Sequence, residues 1–90
     1  MLELRYSAKF KKDFKTIQKR GYNISLLTEV LTILAEEQPL PLNYRDHALT
    51  GCYDGHRECH IQPDWLLIYK IEKDILTLTI TRTGSHSDLF

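Results

Sequence analysis

The first third of the chain carries two hydrophobic patterns in succession, one with a period of two residues and one with a helical period. Residues 2–6 alternate between apolar and polar side chains, which is typical of a strand. After Ser7, a residue type that caps helices, Phe10, Phe14 and Ile17 recur at helical spacing. This spacing places the three side chains on one stripe of an amphipathic helix. The sequence therefore predicts a strand followed by a helix with one buried face.

A second amphipathic helix is predicted after a break at Gly21, since glycine commonly ends helices in the left-handed conformation. Asn23 supplies the next cap, and Pro39 marks the end because proline cannot continue a helix. The apolar stripe between them consists of Leu27, Val30, Leu31 and Leu34. Because the connection at Gly21 is short, the two helices are predicted to form an antiparallel pair.

The segment from Arg57 to Lys70 predicts a β-hairpin that turns at Pro63 and Asp64. Proline presets φ at one corner of a turn, and aspartate tolerates the next position. With these two residues as the loop, the predicted pairs are Ile61 with Leu66, His60 with Leu67 and Cys59 with Ile68. The predicted core face then carries Cys59, Ile61, Leu66 and Ile68. The opposite face carries Glu58, His60, Leu67 and Tyr69.

A turn signal at Asp54-Gly55 precedes this hairpin and predicts that Cys52 pairs with Arg57. The neighbouring thiols and imidazoles raise the question of a zinc site built from Cys52, His56, Cys59 and His60. Adjacent residues of a strand point to opposite faces, so Cys59 and His60 cannot converge on one ion without a bulge, and no CxxC spacing is present. We therefore predict no metal site, and no motif calls for a cofactor.

Residues 75–82 alternate aliphatic side chains with threonines, which predicts a half-buried last strand. Arg82 falls in phase with the aliphatic residues and would face the core unless a bulge or a strand end near Thr81 redirects it. The predicted order is β-α-α-β-β-β-β. It describes a single α+β domain over residues 1–90, a small antiparallel sheet with two N-terminal helices packed on one face.

The composition is that of an ordinary soluble globular protein, with 90 residues, 42% hydrophobic and 27% charged. No apolar run approaches the roughly 20 residues that a membrane span needs. No signal peptide precedes the first charged residues. We expect a cytoplasmic protein without a membrane partner, in which the two cysteines are free thiols.

The charges are segregated although the net charge is zero. Residues 1–20 contain seven basic and two acidic side chains, a net charge of +5, and the remainder carries −5. Such a basic segment suits a local contact with a polyanion, although a lysine-rich helix face is also simply well solvated. The predicted RNA- or ribosome-binding side chains are Lys9, Lys11, Lys12, Lys15, Lys19 and Arg20.

Three segments, PLNYRDHALTG (41–51), GHRECHIQPDWLLIYK (55–70) and RTGSHSDLF (82–90), resemble the YafQ branch of the RelE-type bacterial toxins. The similarity extends over nearly the whole chain. It implies a RelE-like fold and a toxin of a type II toxin–antitoxin pair. Such a toxin enters the ribosomal A site, cleaves the bound mRNA and is neutralised by a cognate antitoxin. The site positions carried over are His47, His60, Asp64, Arg82, His86 and Phe90, with Trp65 beside them.

The resemblance implies metal-independent RNA cleavage, which needs a base for the ribose 2′-OH, an acid for the departing 5′ oxygen and a cation for the phosphorane. His86 and Asp64 are the predicted proton-transfer pair, in either order, and Arg82 holds the phosphate. His47 and His60 position the phosphate or share in proton transfer. Phe90 closes the site or stacks on a base, and Trp65 is either a packed wall or a stacking platform. The alternative is a non-catalytic RNA- or protein-binding module that retains the RelE-like fold.

Overall fold

A five-stranded sheet with the strand order β1-β5-β4-β3-β2 forms the centre of the computed structural model, which describes residues 1–90. The strands are β1 (Glu3–Tyr6), β2 (His47–Ala48), β3 (Arg57–Gln62), β4 (Trp65–Glu72) and β5 (Thr77–Gly84). The helices are α1 (Ala8–Lys19), α2 (Ile24–Ala35) and a short C-terminal α3 (His86–Leu89). The predicted α+β fold and its order of elements are confirmed, and α3 is added at the C-terminus.

The sheet is antiparallel except at one edge, where β1 pairs with β5 in parallel. Helices α1 and α2 cover one face and share a cluster of 14 buried residues with the strands. The most deeply buried members include Ile17 of α1, Val30 of α2 and Ile80 of β5. No helix is long and apolar enough to cross a membrane.

Both predicted N-caps are present. Ser7 Oγ accepts a hydrogen bond from the backbone N–H of Phe10 over 2.9 Å, and the side chain of Asn23 accepts from the N–H of Ser25 over 3.1 Å. Ser7 Oγ also donates to the carbonyl oxygen of Thr81 over 2.6 Å, which ties the start of α1 to β5. Ser7 therefore caps the first turn of α1 and also holds this turn against the sheet.

The hairpin between β3 and β4 turns at Pro63-Asp64 as predicted, with Gln62 opposite Trp65. Its register differs from the prediction because a bulge at Ile61 adds one residue to β3. The observed pairs are His60 with Leu66, Cys59 with Leu67 and Glu58 with Ile68, so all three predicted pairs are wrong by one residue. Leu67 and Tyr69 consequently join Cys59 in the helix-side core, while Leu66 and Ile68 face the opposite side.

The predicted pairing of Cys52 with Arg57 is also wrong. Strand β2 has only two residues, and Arg57 lies opposite Ala48. The segment around Asp54-Gly55 is a longer connection that includes a 3-10 turn at Gly51–Tyr53, so Cys52 lies outside the sheet and is exposed.

The bulge required to redirect Arg82 is present in β5. Ile68 lies opposite Arg82 and Tyr69 lies opposite Ile80, so Thr81 is the extra residue. Since opposite residues share a face, Arg82 lies on the same face as Ile68, away from the helix-side core.

Candidate active site

The face of the sheet that α1 and α2 leave open has a small apolar floor. Leu66 and Ile68 of β4 form this floor with Leu89 of α3, and Leu49 and Tyr53 pack against it. Polar side chains from β2, β3, β5 and α3 surround the floor. We call this region the open face.

Two histidines meet a buried carboxylate at one side of the open face. His47 and His60 place their Nε2 atoms 3.5 and 3.6 Å from Oε1 of Glu58, and their ring centroids lie 6.4 Å apart. The pairing of His47 with Glu58 across β2 and β3 brings the first imidazole into place. His60 follows two residues after Glu58 on the same face of β3. The three residues therefore form one cluster, in which the carboxylate can hold either imidazole when it is protonated.

Glu58 is the functional candidate that sequence analysis did not select. Only 6% of its side chain is exposed, and its Oε2 is buried without a hydrogen-bond partner. A buried carboxylate is costly unless it is paired. Its position two residues from His60 in a strand is the sequence signal that pointed to it. The burial of this carboxylate beside two imidazoles marks it as part of the site.

Arg82 lies at the other side of the open face and is held by α1. Its Nε and Nη2 donate to the two carboxylate oxygens of Asp13 over 2.7 and 3.0 Å. The hydrogen bonds to Asp13 raise the pKa of the guanidinium, with burial acting in the opposite direction. A bidentate pair of this kind fixes both the charge and the orientation of the group.

The short helix α3 carries His86 and Phe90 to the rim. The backbone N–H of His86 donates to Oδ1 of Asp64 over 2.9 Å, which docks α3 against the turn of the hairpin. The His86 and Phe90 rings are 5.0 Å apart, and the Phe90 ring lies 5.6 Å from that of Tyr53. Phe90 is 58% exposed, an unusual position for a large apolar side chain. Asp64 and His86, the predicted proton-transfer pair, therefore lie next to each other, through a hydrogen bond from the backbone of His86 and not from its imidazole.

A capping box shapes this terminal helix. Ser85 and Asp88 each accept from the other's backbone N–H. Gly84 precedes them with φ of +153°, and a Cβ at this position would lie 2.8 Å from Oδ2 of Asp88. Only glycine fits this approach without displacing Asp88, so Gly84 contributes to the placement of His86.

The two sides of the open face are within reach of one ligand. Glu58, Ile68 and Arg82 lie opposite one another on the adjacent strands β3, β4 and β5. With adjacent strands about 4.8 Å apart, the backbones at Glu58 and Arg82 are about 10 Å apart. The six predicted site positions all lie on this face or at its rim: His47, His60, Asp64, Arg82, His86 and Phe90.

Trp65 does not belong to this group. It is 1% exposed, its Nε1 donates to Oγ1 of Thr83 over 2.8 Å, and its ring contacts Tyr22 at a centroid distance of 5.0 Å. A stacking platform needs a free ring face, so the assignment of Trp65 to RNA binding is corrected and the ring is a packed wall.

The predicted basic surface is divided by the structure. The five lysines of α1 are exposed and take part in no ion pair: Lys9, Lys11, Lys12, Lys15 and Lys19. Arg20 instead forms a bidentate pair with Asp88 of α3, with distances of 2.6 and 3.0 Å. The guanidinium therefore holds the C-terminal helix, while the lysine charges are open to a ligand.

The fold and the site together define a class: a small α+β protein that presents imidazoles, carboxylates and a guanidinium on one open sheet face, a set suited to acid–base cleavage of a phosphodiester. The model of a bacterial toxin of type II toxin–antitoxin systems, YafQ, matches residues 2–90. The chain belongs to this YafQ family of toxins.

Individual relatives agree with this membership. The mRNA interferase toxin YafQ of Escherichia coli K12 is 40% identical over 89 residues, which cover 98% of this chain and 95% of the relative. The toxin in the crystal structure of the E. coli DinJ-YafQ complex is 40% identical, with a TM-score of 0.91 and coverage of 100% and 99%. A metal-bound toxin from Helicobacter pylori is 49% identical, with a TM-score of 0.94 and full coverage of both chains.

The metal in the H. pylori structure prompts the question of whether this chain offers a comparable site. No group of three or more histidine, cysteine, aspartate or glutamate side chains is arranged here to hold a metal ion. The Nε2 atoms of His47 and His60 instead lie 3.5 and 3.6 Å from Oε1 of Glu58 and pair with this carboxylate.

Proposed function

We propose that this chain is an mRNA interferase, a ribosome-dependent endoribonuclease that cleaves mRNA in the ribosomal A site and thereby stops translation. The observation that carries the proposal is the meeting of His47, His60, Arg82 and His86 around one open sheet face. Membership of the YafQ toxin family supports the same activity. A target on translating ribosomes makes the cytoplasm the place of action.

The proposed reaction is an attack of the ribose 2′ oxygen on the adjacent phosphorus. A base takes the 2′-OH proton, the new P–O2′ bond closes a 2′,3′-cyclic phosphate, and the P–O5′ bond breaks as an acid protonates the leaving oxygen. We assign the two proton transfers to His86 and Asp64, which the contact between Asp64 and the backbone of α3 holds together. Each positioned acid or base contributes about 10²–10⁴-fold to the rate.

Charge stabilisation in this proposal comes from Arg82 and from the histidine cluster. Because Asp13 occupies the Nε side of the guanidinium, the phosphate is received by the remaining N–H groups of Arg82. His47 and His60, held around Glu58, position the phosphate from the opposite side. Phe90, exposed beside His86, stacks on a base or closes the site.

Helix α1 supplies the proposed surface for the larger partners. Its exposed lysines contact ribosomal RNA phosphates, an interaction that weakens with salt. An apolar groove of about 590 Å³ also runs between α1 and α2, with Phe10, Phe14 and Leu31 in its lining and Lys11 and Lys15 at its side. This combination suits an amphipathic segment of a cognate antitoxin that carries carboxylates beside its apolar side chains. Occupation of the groove would also cover the lysines and so keep the toxin from the ribosome.

The activity is tested in a translating extract by primer extension on the mRNA. We expect cleavage by the wild type and a loss of about 10²–10⁴-fold in His86→Ala and in Asp64→Ala. His56→Ala is the matched control, because the His56 imidazole lies outside the site: its Nδ1 lies 3.3 Å from the carbonyl oxygen of Asp54 and its ring 6.3 Å from the Tyr53 ring. Addition of the antitoxin encoded beside the toxin gene should suppress cleavage.

The outcomes separate the competing interpretations. Equal cleavage by the wild type and both site variants would remove the proposed chemistry. No cleavage by the wild type, combined with retained binding to ribosomes or RNA, would favour the alternative of a non-catalytic binding module on the same fold.

A further inference from the structure

The carboxylate of Asp13 takes no direct part in the proposed proton transfers or in phosphate binding, yet it contacts Arg82. It lies on α1, 69 positions before Arg82 in the chain, on a helix otherwise rich in lysine. Its oxygens accept from Nε and Nη2 of Arg82, and Oδ2 also accepts from the backbone N–H of Thr83 over 3.2 Å. Three hydrogen bonds thus fix this carboxylate against the strand segment that follows the β5 bulge.

The setting explains why Arg82 needs such a partner. Strand β1 pairs with β5 only as far as Ile80, so the part of β5 that bears Arg82 pairs with β4 on one side and has no strand on the other. An arginine side chain at such an edge has several free rotamers, and ordering it costs conformational entropy. Asp13 closes this edge from α1, and the bond from Ser7 to Thr81 holds the helix start next to it. The position of Arg82 is therefore determined by the helix as well as by its own strand.

The direction of the contact is also informative. Asp13 engages the Nε side of the guanidinium, so both Nη1 hydrogens and one Nη2 hydrogen lie outside this ion pair, with the Tyr53 side chain as a further neighbour of the guanidinium. These Nη1 and Nη2 hydrogens lie at the outer end of the planar guanidinium, where they can donate to two phosphate oxygens. Both side chains are mostly buried, with exposed fractions of 20% for Arg82 and 13% for Asp13, so solvent competes weakly for the pair.

We propose that Asp13 is a positioning residue for the cleavage reaction, which acts by holding Arg82 with the end of its guanidinium toward the scissile phosphate. This inference rests on the proposed function, because it requires Arg82 to stabilise the reacting phosphate. The role places part of the active site on α1, the helix that also bears the exposed lysines.

The test measures single-turnover cleavage of ribosome-bound mRNA over a range of ribosome concentrations. In Asp13→Asn, an amide oxygen at the Oδ2 position can still accept from Thr83 and from Nε of Arg82, whereas the N–H₂ group at the Oδ1 position cannot accept from Nη2, and the negative charge is lost. We expect the maximal rate to fall about 10- to 100-fold, the range that misplacement of a catalytic group produces. The ribosome concentration at half-maximal rate should stay unchanged. Glu29→Gln, which removes an exposed carboxylate from α2, is the control and should match the wild type.

A double-mutant cycle separates positioning from a general structural effect. In an Arg82→Ala background, Asp13→Asn should cause no further loss of rate, since a residue that acts through Arg82 has nothing left to position. Asp13→Glu keeps a carboxylate and should retain a higher rate than Asp13→Asn. A wild-type rate in Asp13→Asn, or an equal loss in both backgrounds, would overturn the inference while the proposed function stood. A wild-type rate in Arg82→Ala would instead reject the catalytic role of Arg82 and the inference with it.

Discussion

The two faces of the central sheet differ in what they bury. The helix-side face shares a cluster of 14 buried residues with α1 and α2, whereas the open face has a cluster of three. The polar site residues gather on the open face, including a carboxylate with a buried, unpaired oxygen. Hydrophobic burial on the helix side supplies most of the stability. The open face can therefore carry groups whose arrangement serves chemistry at some cost in stability.

Two bulges in the same half of the sheet produce this separation. The bulge at Ile61 places Leu66 and Ile68 on the open face and sends Leu67 to the core. The bulge at Thr81 does the same for β5, since the side chains that follow it exchange faces. In β5, one extra residue allows a single strand to line the core as far as Ile80 and to carry Arg82 on the open face.

The largest effect on stability that tests this contrast between the two sheet faces is expected from substitution of Trp65. Truncation by Trp65→Ala removes a fully buried ring from the helix-side core and should lower the free energy of unfolding by about 3–5 kcal/mol, measured by urea denaturation. Trp65→Phe keeps an aromatic ring and loses the hydrogen bond to Thr83, at a cost of about 1–3 kcal/mol.

The same variants distinguish a packed wall from a stacking platform. Folded Trp65→Phe should cleave mRNA at nearly the wild-type rate, because the ring does not reach the open face. A strong loss of cleavage in that variant, with the fold intact, would show that the indole contacts the RNA and that the two faces are less separate than their burial indicates.

The sequence predicts the two long helices and the strands, but neither α3 nor the two bulges. The periodicities and caps locate the predicted elements because each residue there follows a local rule. In β5 the sequence shows only a conflict, since Arg82 would point into an aliphatic core, and no residue near Thr81 marks a bulge as its solution. The bulge at Ile61 leaves no such conflict, because residues 65–69 of β4 are apolar in every position and either register buries them.

The site was predictable only in part. The histidines, Arg82 and Phe90 stand out by residue type and by resemblance to the toxin family. Asp13 and Glu58 do not, because a carboxylate among lysines or between two strand residues looks like ordinary surface charge. The role of Asp13 depends on a contact across 69 positions, which no local pattern encodes. The role of Glu58 depends on its burial, which its spacing of two residues from His60 does not by itself reveal.

A smaller effect on the free energy of unfolding is expected from substitution of Glu58, whose buried carboxylate on the open face lowers the stability of the fold. Glu58→Leu replaces a buried, partly unpaired carboxylate with an apolar side chain of similar size. The free energy of unfolding should stay constant or rise by about 1 kcal/mol, while the cleavage rate falls about tenfold because His47 and His60 lose the group that orients them. Urea denaturation and the primer-extension assay measure the two quantities on the same preparation.

Glu58→Gln serves as a second variant that keeps the shape of the side chain. It should also reduce cleavage, since an amide oxygen can accept a hydrogen bond from a protonated imidazole but lacks the negative charge of an ion pair. A clear loss of stability in Glu58→Leu would mean that the carboxylate supports the fold, and the contrast between the two faces would then fail at this residue.

The smallest expected effect concerns the ion pair between Arg20 and Asp88, which joins α1 to the rim of the open face. The Arg20 guanidinium lowers the pKa of the Asp88 carboxyl below its ordinary value of 3.8, with the backbone N–H of Ser85 acting in the same direction. A carboxyl group whose pKa is depressed by folding stabilises the protein above its unfolded pKa, and this contribution is lost as the pH falls through the folded value. The difference in urea midpoint between the wild type and Arg20→Gln should therefore be small and constant above about pH 5 and shrink as the pH falls below 4. A difference that grew on acidification would show that Asp88 is not the partner through which Arg20 acts, and α3 would have to be held to α1 by other contacts.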